Sequence, residues 1–337
     1  MPTTPRRLLR QMLEEHGPII AEAFLEAVAN TVNGASIKAI SEALGRAEYD
    51  LALDLLGLSD EAFETVAESV QGAYRASGRS VSAWIDSASA AEIRFQFKPG
   101  DPEAAEWLRT KSSRLVSLIS AAQRETVREA LAEGMERGTN PRTVALDVVG
   151  RIPKGANRRS GGIVGLTRKQ AQTVQRIQDD LLSGDPKRMR AYLKLNLRDR
   201  RFDRTIARAI KAERPLTRTQ VDRITGRYAD RALKWRADNI ARTEANQAFH
   251  AAQDHSFRQG IGTGHVQPDK LTKTWHASAD DRVRFSHTVL HKQTIGMDEL
   301  FVSPIGSMMK HPGDTSLGAA PADIVQCRCR LTYRMIE

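Results

Sequence analysis

The feature that most constrains the fold is a change of sequence pattern near residue 235. Before it, apolar residues recur at the three- and four-residue spacing of amphipathic helices. After it, the chain consists of short segments that hold most of its histidines and both cysteines. Helices followed by a block of short strands and helices are typical of an α+β protein. We therefore predict a helical region over residues 1–235 and a small α+β domain over residues 236–337.

One helix of the first region is predicted to be unusually long. The tripeptide Asp-Pro-Glu at 101–103 is a strong start signal, because aspartate caps helix N-termini and proline fits the first turn. The apolar face continues to Gly138, a residue type that commonly ends helices. The pattern predicts a helix over about 101–137, roughly 50 Å long at about 1.5 Å per residue. A helical hairpin with a break near Gln123 is the alternative.

A second long helical pattern runs from Thr217 to about Gln259. Here we expect a break near residues 235–237, because Asp238 is a residue type that caps the start of a new helix. The boundary between the helical region and the C-terminal domain is therefore placed at this break.

The most basic part of the chain is residues 187–214, called the basic segment below. It holds eleven basic and three acidic residues, a net charge of +8 against +10 for the whole chain. Arginine-rich helices neutralise phosphates without reading bases, so the segment predicts sequence-independent contact with nucleic acid. A solvated face or a surface for an acidic protein is the alternative. The residues predicted to bind nucleic acid are Arg188, Arg190, Lys194, Arg198, Arg200, Arg201, Arg204 and Arg208.

Cysteine usage and hydropathy exclude several classes of protein. Cys327 and Cys329 are two residues apart, and on a strand their Cα atoms would lie roughly 6.5–7 Å apart, at or beyond the usual disulfide limit. No segment has the about 20 mostly apolar residues that a membrane span requires. The basic N-terminus is followed by Glu14 and Glu15, not by the apolar core of a signal peptide. We therefore expect a protein assembled in a reducing cytosol, with no membrane span.

Several short motifs follow one another over residues 237–331. They are Ile240-Ala241-Arg242-Thr243-Glu244, Trp275, Asp281-Arg282-Val283-Arg284, His287, Phe301, Pro312-Gly313-Asp314 and Cys327-Arg328-Cys329. In this order and spacing they resemble the phage Mu F-like head morphogenesis family of minor head proteins. One departure is Lys292, since the family often has glycine at this point after Leu290. A turn there must form without the residue that most easily adopts positive φ.

The resemblance implies a minor head protein of a tailed phage, made in the host cytoplasm and located in the virion head. Such a protein acts in head assembly at the portal and in genome packaging or delivery. The partners implied are the portal protein, major capsid or scaffold proteins, and packaged double-stranded DNA. The implied role is structural, so no enzyme activity is predicted.

A nuclease-like or toxin-like site is the alternative interpretation of the C-terminal domain. Its candidate catalytic residues are Asp281, Arg284 and His287, because histidine serves as a general base and arginine stabilises charge on phosphate. We favour a structural network of ion pairs and turn caps over a buried Trp275, since no second acid–base partner is evident in the sequence. No catalytic residue is therefore predicted.

Two motif residues, Arg242 and Glu244, lie on the helix that enters the C-terminal domain. We interpret them, like Asp281 and Arg284, as members of partly buried ion pairs that fix this helix against the sheet. Removal of one partner from such a pair leaves an unpaired buried charge, which destabilises the fold.

Zinc is the alternative interpretation of the cysteines. Cys327, Cys329, His287 and His311 supply zinc-ligand types, but Cys-x-Cys is an unusual donor spacing and the four residues come from distant segments. We therefore predict no cofactor and no metal. The two thiols are interpreted as partly buried groups on the inner face of a closing strand over 324–333.

Overall fold

The computed structural model of the chain describes residues 5–88, 95–278 and 280–335. Helices make up most of these residues, and a few antiparallel strands lie near the C-terminus, which confirms the predicted α+β class. The helices are α1 (Pro5–Gly34), α2 (Ile37–Gly45), α3 (Tyr49–Asp54), α4 (Glu64–Ala88), α5 (Pro102–Glu136), α6 (Pro141–Val149), α7 (Arg168–Leu182), α8 (Pro186–Met189), α9 (Asp203–Lys211), α10 (Arg218–Gly262), α11 (Phe285–Val289) and α12 (Pro321–Ile324).

The long helix predicted from residue 101 is confirmed as α5, a single helix of 35 residues. Asp101 Oδ1 accepts a hydrogen bond from the backbone N–H of Glu103 at 3.1 Å, as expected for a helix cap. The alternative break near Gln123 is absent. This residue lies within α5, where its buried side chain bonds the backbone of Gly165 and Leu166 and thus serves tertiary packing.

The predicted break near residues 235–237 is wrong, because α10 continues through it for 45 residues. Alanines occupy its buried face on both sides of the expected break, and alanine is the best helix former. These buried alanines are Ala229, Ala232, Ala237, Ala241 and Ala245. Arg236 also fixes this stretch, since its Nη1 donates to the Gly165 carbonyl at 2.8 Å. Despite the length of α10, no described helix is apolar enough over a sufficient length to cross a membrane.

The chain forms two compact units from alternating stretches of sequence. The first unit combines residues 1–22, 66–114 and 238–337. The second unit combines residues 23–65 and 115–237. The domain division predicted at residue 235 stays a prediction.

The first unit contains the strands. They are β1 (Leu271–His276), β2 (Thr294–Gly296), β3 (Phe301–Val302), β4 (Met308–Met309) and β5 (Arg330–Met335). One antiparallel sheet has the order β2-β1-β5, and β3 pairs with β4 in a second. The predicted closing strand is shorter than expected and begins at Arg330, because α12 occupies its predicted start and Gln326 turns the chain with φ 58°.

A hydrophobic core in the first unit fixes the position of β1. Leu271, Lys273 and Trp275 alternate with more exposed neighbours along this strand, so they share its inner face. Trp275 lies opposite Leu331 of β5, and its ring centroid is 5.1 Å from that of Phe301. Motif residues of the C-terminal region, such as Phe301, thus pack against the inner face of β1.

Candidate functional site

Two short segments of the first unit bring together His287, Cys327 and Cys329, called the His/Cys cluster below. His287 lies on α11, and the cysteines immediately precede β5. His287 Nδ1 is 3.6 Å from Cys327 Sγ and 3.2 Å from Cys329 Sγ. Each side chain belongs to a residue at most 2% exposed, and both cysteines are free thiols. The three donor atoms have the types and the mutual proximity that a soft metal ion requires.

The carboxylate beside His287 belongs to Asp323, a residue that the sequence reasoning missed. Asp323 Oδ1 is 3.5 Å from His287 Nε2 and accepts a hydrogen bond from Ser286 Oγ at 2.7 Å. The other carboxylate oxygen, Oδ2, accepts a hydrogen bond from Ser303 Oγ at 2.6 Å. Burial alone raises the pKa of this carboxyl, but the serine hydrogen bonds and His287 together lower its pKa below the ordinary value. Asp323 is therefore an anion fixed behind the imidazole.

The two thiols of the cluster differ in acidity. The hydrogen bond between their side chains lowers the pKa of Cys329 well below that of an ordinary cysteine, and His287 lowers it further. The same hydrogen bond, together with burial, raises the pKa of Cys327. Cys329 is therefore the more acidic thiol of the pair.

An arginine-lined pocket of about 110 Å³ opens onto Cys329 and His287. Its basic lining residues are Arg242, Arg282, Arg284 and Arg328. Arg328 Nη2 donates to Asp280 Oδ1 at 2.8 Å, and Arg284 donates to the Val325 carbonyl. The pocket thus places four arginine side chains around Cys329 and His287.

The predicted catalytic candidates are only partly brought together. His287 and Arg284 both line the pocket, whereas Asp281 is exposed and is not among its lining residues. Trp275 packs edge-on against His287, with ring centroids 5.4 Å apart and an interplanar angle of 74°. The structural role predicted for these residues stays a prediction.

The other motif residues attach the C-terminal segments to long helices of the same unit. Glu244 forms an ion pair with Lys111 of α5, with 2.7 Å between Oε2 and Nζ and side chains 10% and 12% exposed. Arg242 is exposed and lines the pocket, so the buried ion pair expected for it is not formed with any described residue. Glu244 therefore carries the docking role that was expected of both.

The Pro-Gly-Asp motif at 312–314 is a turn packed against α10. Asp314 accepts hydrogen bonds from the backbone N–H groups of Lys310 and Ser316, both at 2.8 Å. Gly313 has φ 80°, and a Cβ there would lie 2.8 Å from Gln247 Cγ, so only glycine fits. His311 lies outside the His/Cys cluster, with its ring 6.3 Å from that of His250.

Lys292, the residue that departs from the family pattern, adopts the conformation that glycine favours. Its φ is 67°, and its backbone N–H donates to the Trp275 carbonyl at 2.7 Å. The turn after α11 therefore keeps the left-handed geometry although a lysine occupies the position. This strained backbone is held by the hydrogen bond to β1.

The basic segment lies in the second unit and folds as short helical turns. These are α8, α9 and two 3-10 turns at Tyr192–Lys194 and Arg200–Phe202. Helix α9 buries Ile206 and Ile210, while Arg204, Arg208 and Lys211 lie exposed at helical spacing. The cations of α9 therefore form a stripe on its outer face.

The eight predicted nucleic-acid contacts fall into two groups. Arg188, Arg198 and Arg201 pair with Asp180, Asp203 and Asp199 at 2.9, 3.1 and 2.5 Å. The others are exposed and have no carboxylate within 4.0 Å among the residues that the structure describes. This second group is Arg190, Lys194, Arg200, Arg204 and Arg208.

Comparisons with known proteins cover both regions. The family model described as Phage Mu protein F like protein matches residues 125–332, a range that includes the basic segment and the His/Cys cluster. Minor head protein GP7 of Bacillus phage SPP1 is 34% identical over 93 residues. That match spans 28% of this chain and 28% of the length of GP7. No solved structure matches the chain significantly.

Proposed function

Because this chain belongs to the family of phage Mu protein F like proteins, we propose that it is a minor head protein that contacts packaged double-stranded DNA through its basic segment. Family membership assigns the chain to the virion head and to a role in head assembly. The contact with DNA, the position at the portal and a part in genome packaging or delivery are the proposed refinements of that role.

The observation that carries the proposed DNA contact is the set of exposed cations of the basic segment that have no carboxylate within 4.0 Å among the described residues. Arg204, Arg208 and Lys211 lie within eight residues of α9, and the first and last are about 10 Å apart along the helix axis. Duplex DNA carries one negative charge per about 1.7 Å of its axis, so several phosphates lie within reach of such a stripe. Arginines aimed at phosphates supply affinity without base recognition, which suits a protein that meets DNA of any sequence.

The proposed protein partners are the portal protein and the major capsid or scaffold proteins. The support for this proposal is the head-assembly role of the family to which the chain belongs. Co-sedimentation of the purified chain with purified portal rings, measured beside co-sedimentation with empty capsids, tests it. Binding to neither assembly would contradict the proposed partners.

The DNA contact is tested by equilibrium binding to double-stranded DNA over a salt series. The triple variant Arg200→Gln/Arg204→Gln/Arg208→Gln should bind more weakly and reduce the slope of log affinity against log salt by about three, since each lost phosphate contact removes about one. The matched control is Arg10→Gln/Lys38→Gln/Arg109→Gln. It removes the same charge from side chains that are 79%, 85% and 74% exposed elsewhere on the chain.

Three outcomes of this experiment contradict the proposal. Equal losses in the triple variant and its control would assign binding to net charge alone. If the native chain does not bind DNA, the basic segment would instead be a surface for an acidic protein partner. Cleavage of the DNA that disappears in His287→Ala would make the C-terminal region an enzyme, so strand integrity is scored in the same samples.

A further inference from the structure

The His/Cys cluster has donor spacings close to those of a tetrahedral zinc site. Zinc lies about 2.3 Å from sulfur and about 2.0–2.1 Å from imidazole nitrogen, so two such ligands are about 3.6 Å apart. The observed separations from His287 Nδ1 are 3.6 Å to Cys327 Sγ and 3.2 Å to Cys329 Sγ. The two sulfurs also lie within 4.8 Å of each other, so little rearrangement is needed for all three atoms to reach one ion.

The environment of His287 leaves Nδ1 as the nitrogen that faces the thiols. Its Nε2 is buried and makes no hydrogen bond with the described residues, but Asp323 Oδ1 lies 3.5 Å away. A small shift of the ring would let Nε2–H donate to this carboxylate. A carboxylate behind the imidazole is the usual outer-shell partner of a zinc-binding histidine, because it fixes the ring and its tautomer.

The pocket supplies an entry route and a fourth ligand position. Cys329 and His287 both line it, so an ion on the cluster would face its interior. Two thiolates neutralise the charge of Zn²⁺, and the four arginines of the lining favour water or a small anion as the fourth ligand. A site with three protein ligands and one exchangeable position results.

We propose that His287 Nδ1, Cys327 Sγ and Cys329 Sγ bind one Zn²⁺ ion per chain. Binding replaces the two thiol protons, which are released to solvent, and forms two Zn–S bonds and one Zn–N bond. The ion ties α11 to the segment before β5, so its first consequence is greater stability of the first unit. This site is independent of the proposed DNA contact, which uses residues of the basic segment.

The test begins with purified chain that has been stripped of metal and titrated with Zn²⁺. We expect one zinc per chain by elemental analysis and a rise of several degrees in the thermal midpoint. Replacement by Co²⁺ should give the absorption of a tetrahedral cobalt–thiolate centre. Cys327→Ser and Cys329→Ser should each weaken metal binding at least about tenfold, whereas the control His291→Gln, at an exposed histidine of the same unit, should retain it.

A measurement on the native chain keeps the proposal falsifiable if the cysteine variants do not fold. Zinc should protect both thiols from a thiol reagent under denaturant concentrations that open the unprotected protein. Equal thiol reaction with and without zinc, or absence of stoichiometric zinc, would overturn the proposal. Full zinc retention by the double variant Cys327→Ser/Cys329→Ser would also overturn it, because the ion would then lie elsewhere.

Discussion

The His/Cys cluster and the basic segment differ in how the chain treats their polar groups. In the cluster, Cys327 and Cys329 lie 40 and 42 positions after His287, and all three residues are at most 2% exposed. Their partners are brought close only by the fold. In the basic segment, neighbouring residues point outward, and the Arg201 side chain is 71% exposed even though it forms an ion pair. The cluster therefore exists only in the packed protein, whereas the charge of the basic segment is a local property of the sequence.

The strongest way to separate the two regions is to damage the core beneath the cluster. Trp275→Ala removes a fully buried ring that contacts His287 and Phe301, and the cavity should cost about 3–5 kcal/mol of unfolding free energy. Urea denaturation of native and variant chains measures this loss. Binding to DNA under conditions where the variant is folded should keep its native salt slope.

The matched control for that change is Trp235→Ala, at a tryptophan that is 49% exposed on α10. Its cost should stay within about 0.5 kcal/mol, because surface substitutions rarely exceed that value. Equal losses at the two tryptophans would mean that burial of Trp275 does not dominate the stability of the first unit.

A second contrast concerns buried and exposed ion pairs on the same helix. Lys111→Met leaves Glu244 without its partner in a site where both side chains are about nine-tenths buried, so we expect a loss of about 3 kcal/mol. Arg109→Met breaks the exposed pair with Glu106 and should cost at most about 1 kcal/mol. Urea denaturation again gives both values.

The double variant Lys111→Met/Glu244→Leu distinguishes the cause of that loss. It removes both charges, so much of the stability lost in Lys111→Met should return. If the double variant is less stable than the single one, packing of the lysine chain and not the unpaired Glu244 charge accounts for the effect.

Sequence reasoning succeeded where the determining signals are local. The cap at Asp101 and the apolar face behind it predicted α5, the arginines of the basic segment could be read directly, and the family resemblance is confirmed by the family match. It failed at residues 235–237, where the capping tendency of Asp238 is outweighed by the buried alanine face of α10.

Local sequence patterns could not predict which residues come together at the His/Cys cluster. The sequence identified His287 and both cysteines as ligand types, but His311 has the same chemistry and lies elsewhere. Asp323 was missed because it lies 36 positions after His287 and no sequence motif links the two. Such pairings are set by tertiary packing, which places α12 behind α11.

Buried histidines should make the stability of the first unit sensitive to acid. The arginines of the basic segment should keep their charge over the same pH range. Burial lowers the pKa of His255 to about 4 and that of His250 to about 3, and Tyr74 Oη lies 2.6 Å from His255 Nδ1. Unfolding returns each imidazole to an ordinary pKa of about 6.5, so the unfolded state binds more protons below that pH. The titratable and charged neighbours of His255 are Asp254, Arg258, Lys310 and His311.

The unfolding free energy should therefore reach its full value above about pH 6.5. It should fall as the pH drops towards 4, by at most about 1.4 kcal/mol per pH unit for each histidine. Unfolding free energies measured by urea at several pH values test this. His255→Gln should flatten the profile, and His291→Gln, at an exposed histidine, should not. A profile that rises on acidification would contradict the buried neutral state.

The smallest effect distinguishes two arginines within the basic segment. Arg204 has no carboxylate partner among the described residues, whereas Arg201 pairs with Asp199, which is 2% exposed. Arg204→Gln should lower the salt slope of DNA binding by about one without changing stability. Arg201→Gln should change the slope less but destabilise the second unit, because the Arg201 hydrogen bond lowers the pKa of Asp199 to about 2.

The destabilisation by Arg201→Gln has a defined pH dependence. A carboxyl whose pKa is lowered in the folded state stabilises the protein above its ordinary pKa of about 3.9, and this stabilisation is lost as the pH falls towards 2. The difference in unfolding free energy between native and variant chains should therefore be largest at neutral pH. It should approach zero as the pH falls from about 3.9 towards 2. A difference that persists at pH 2, or a salt slope that changes as much as in Arg204→Gln, would show that the ion pair does not divide the arginines of this segment into structural and DNA-facing groups.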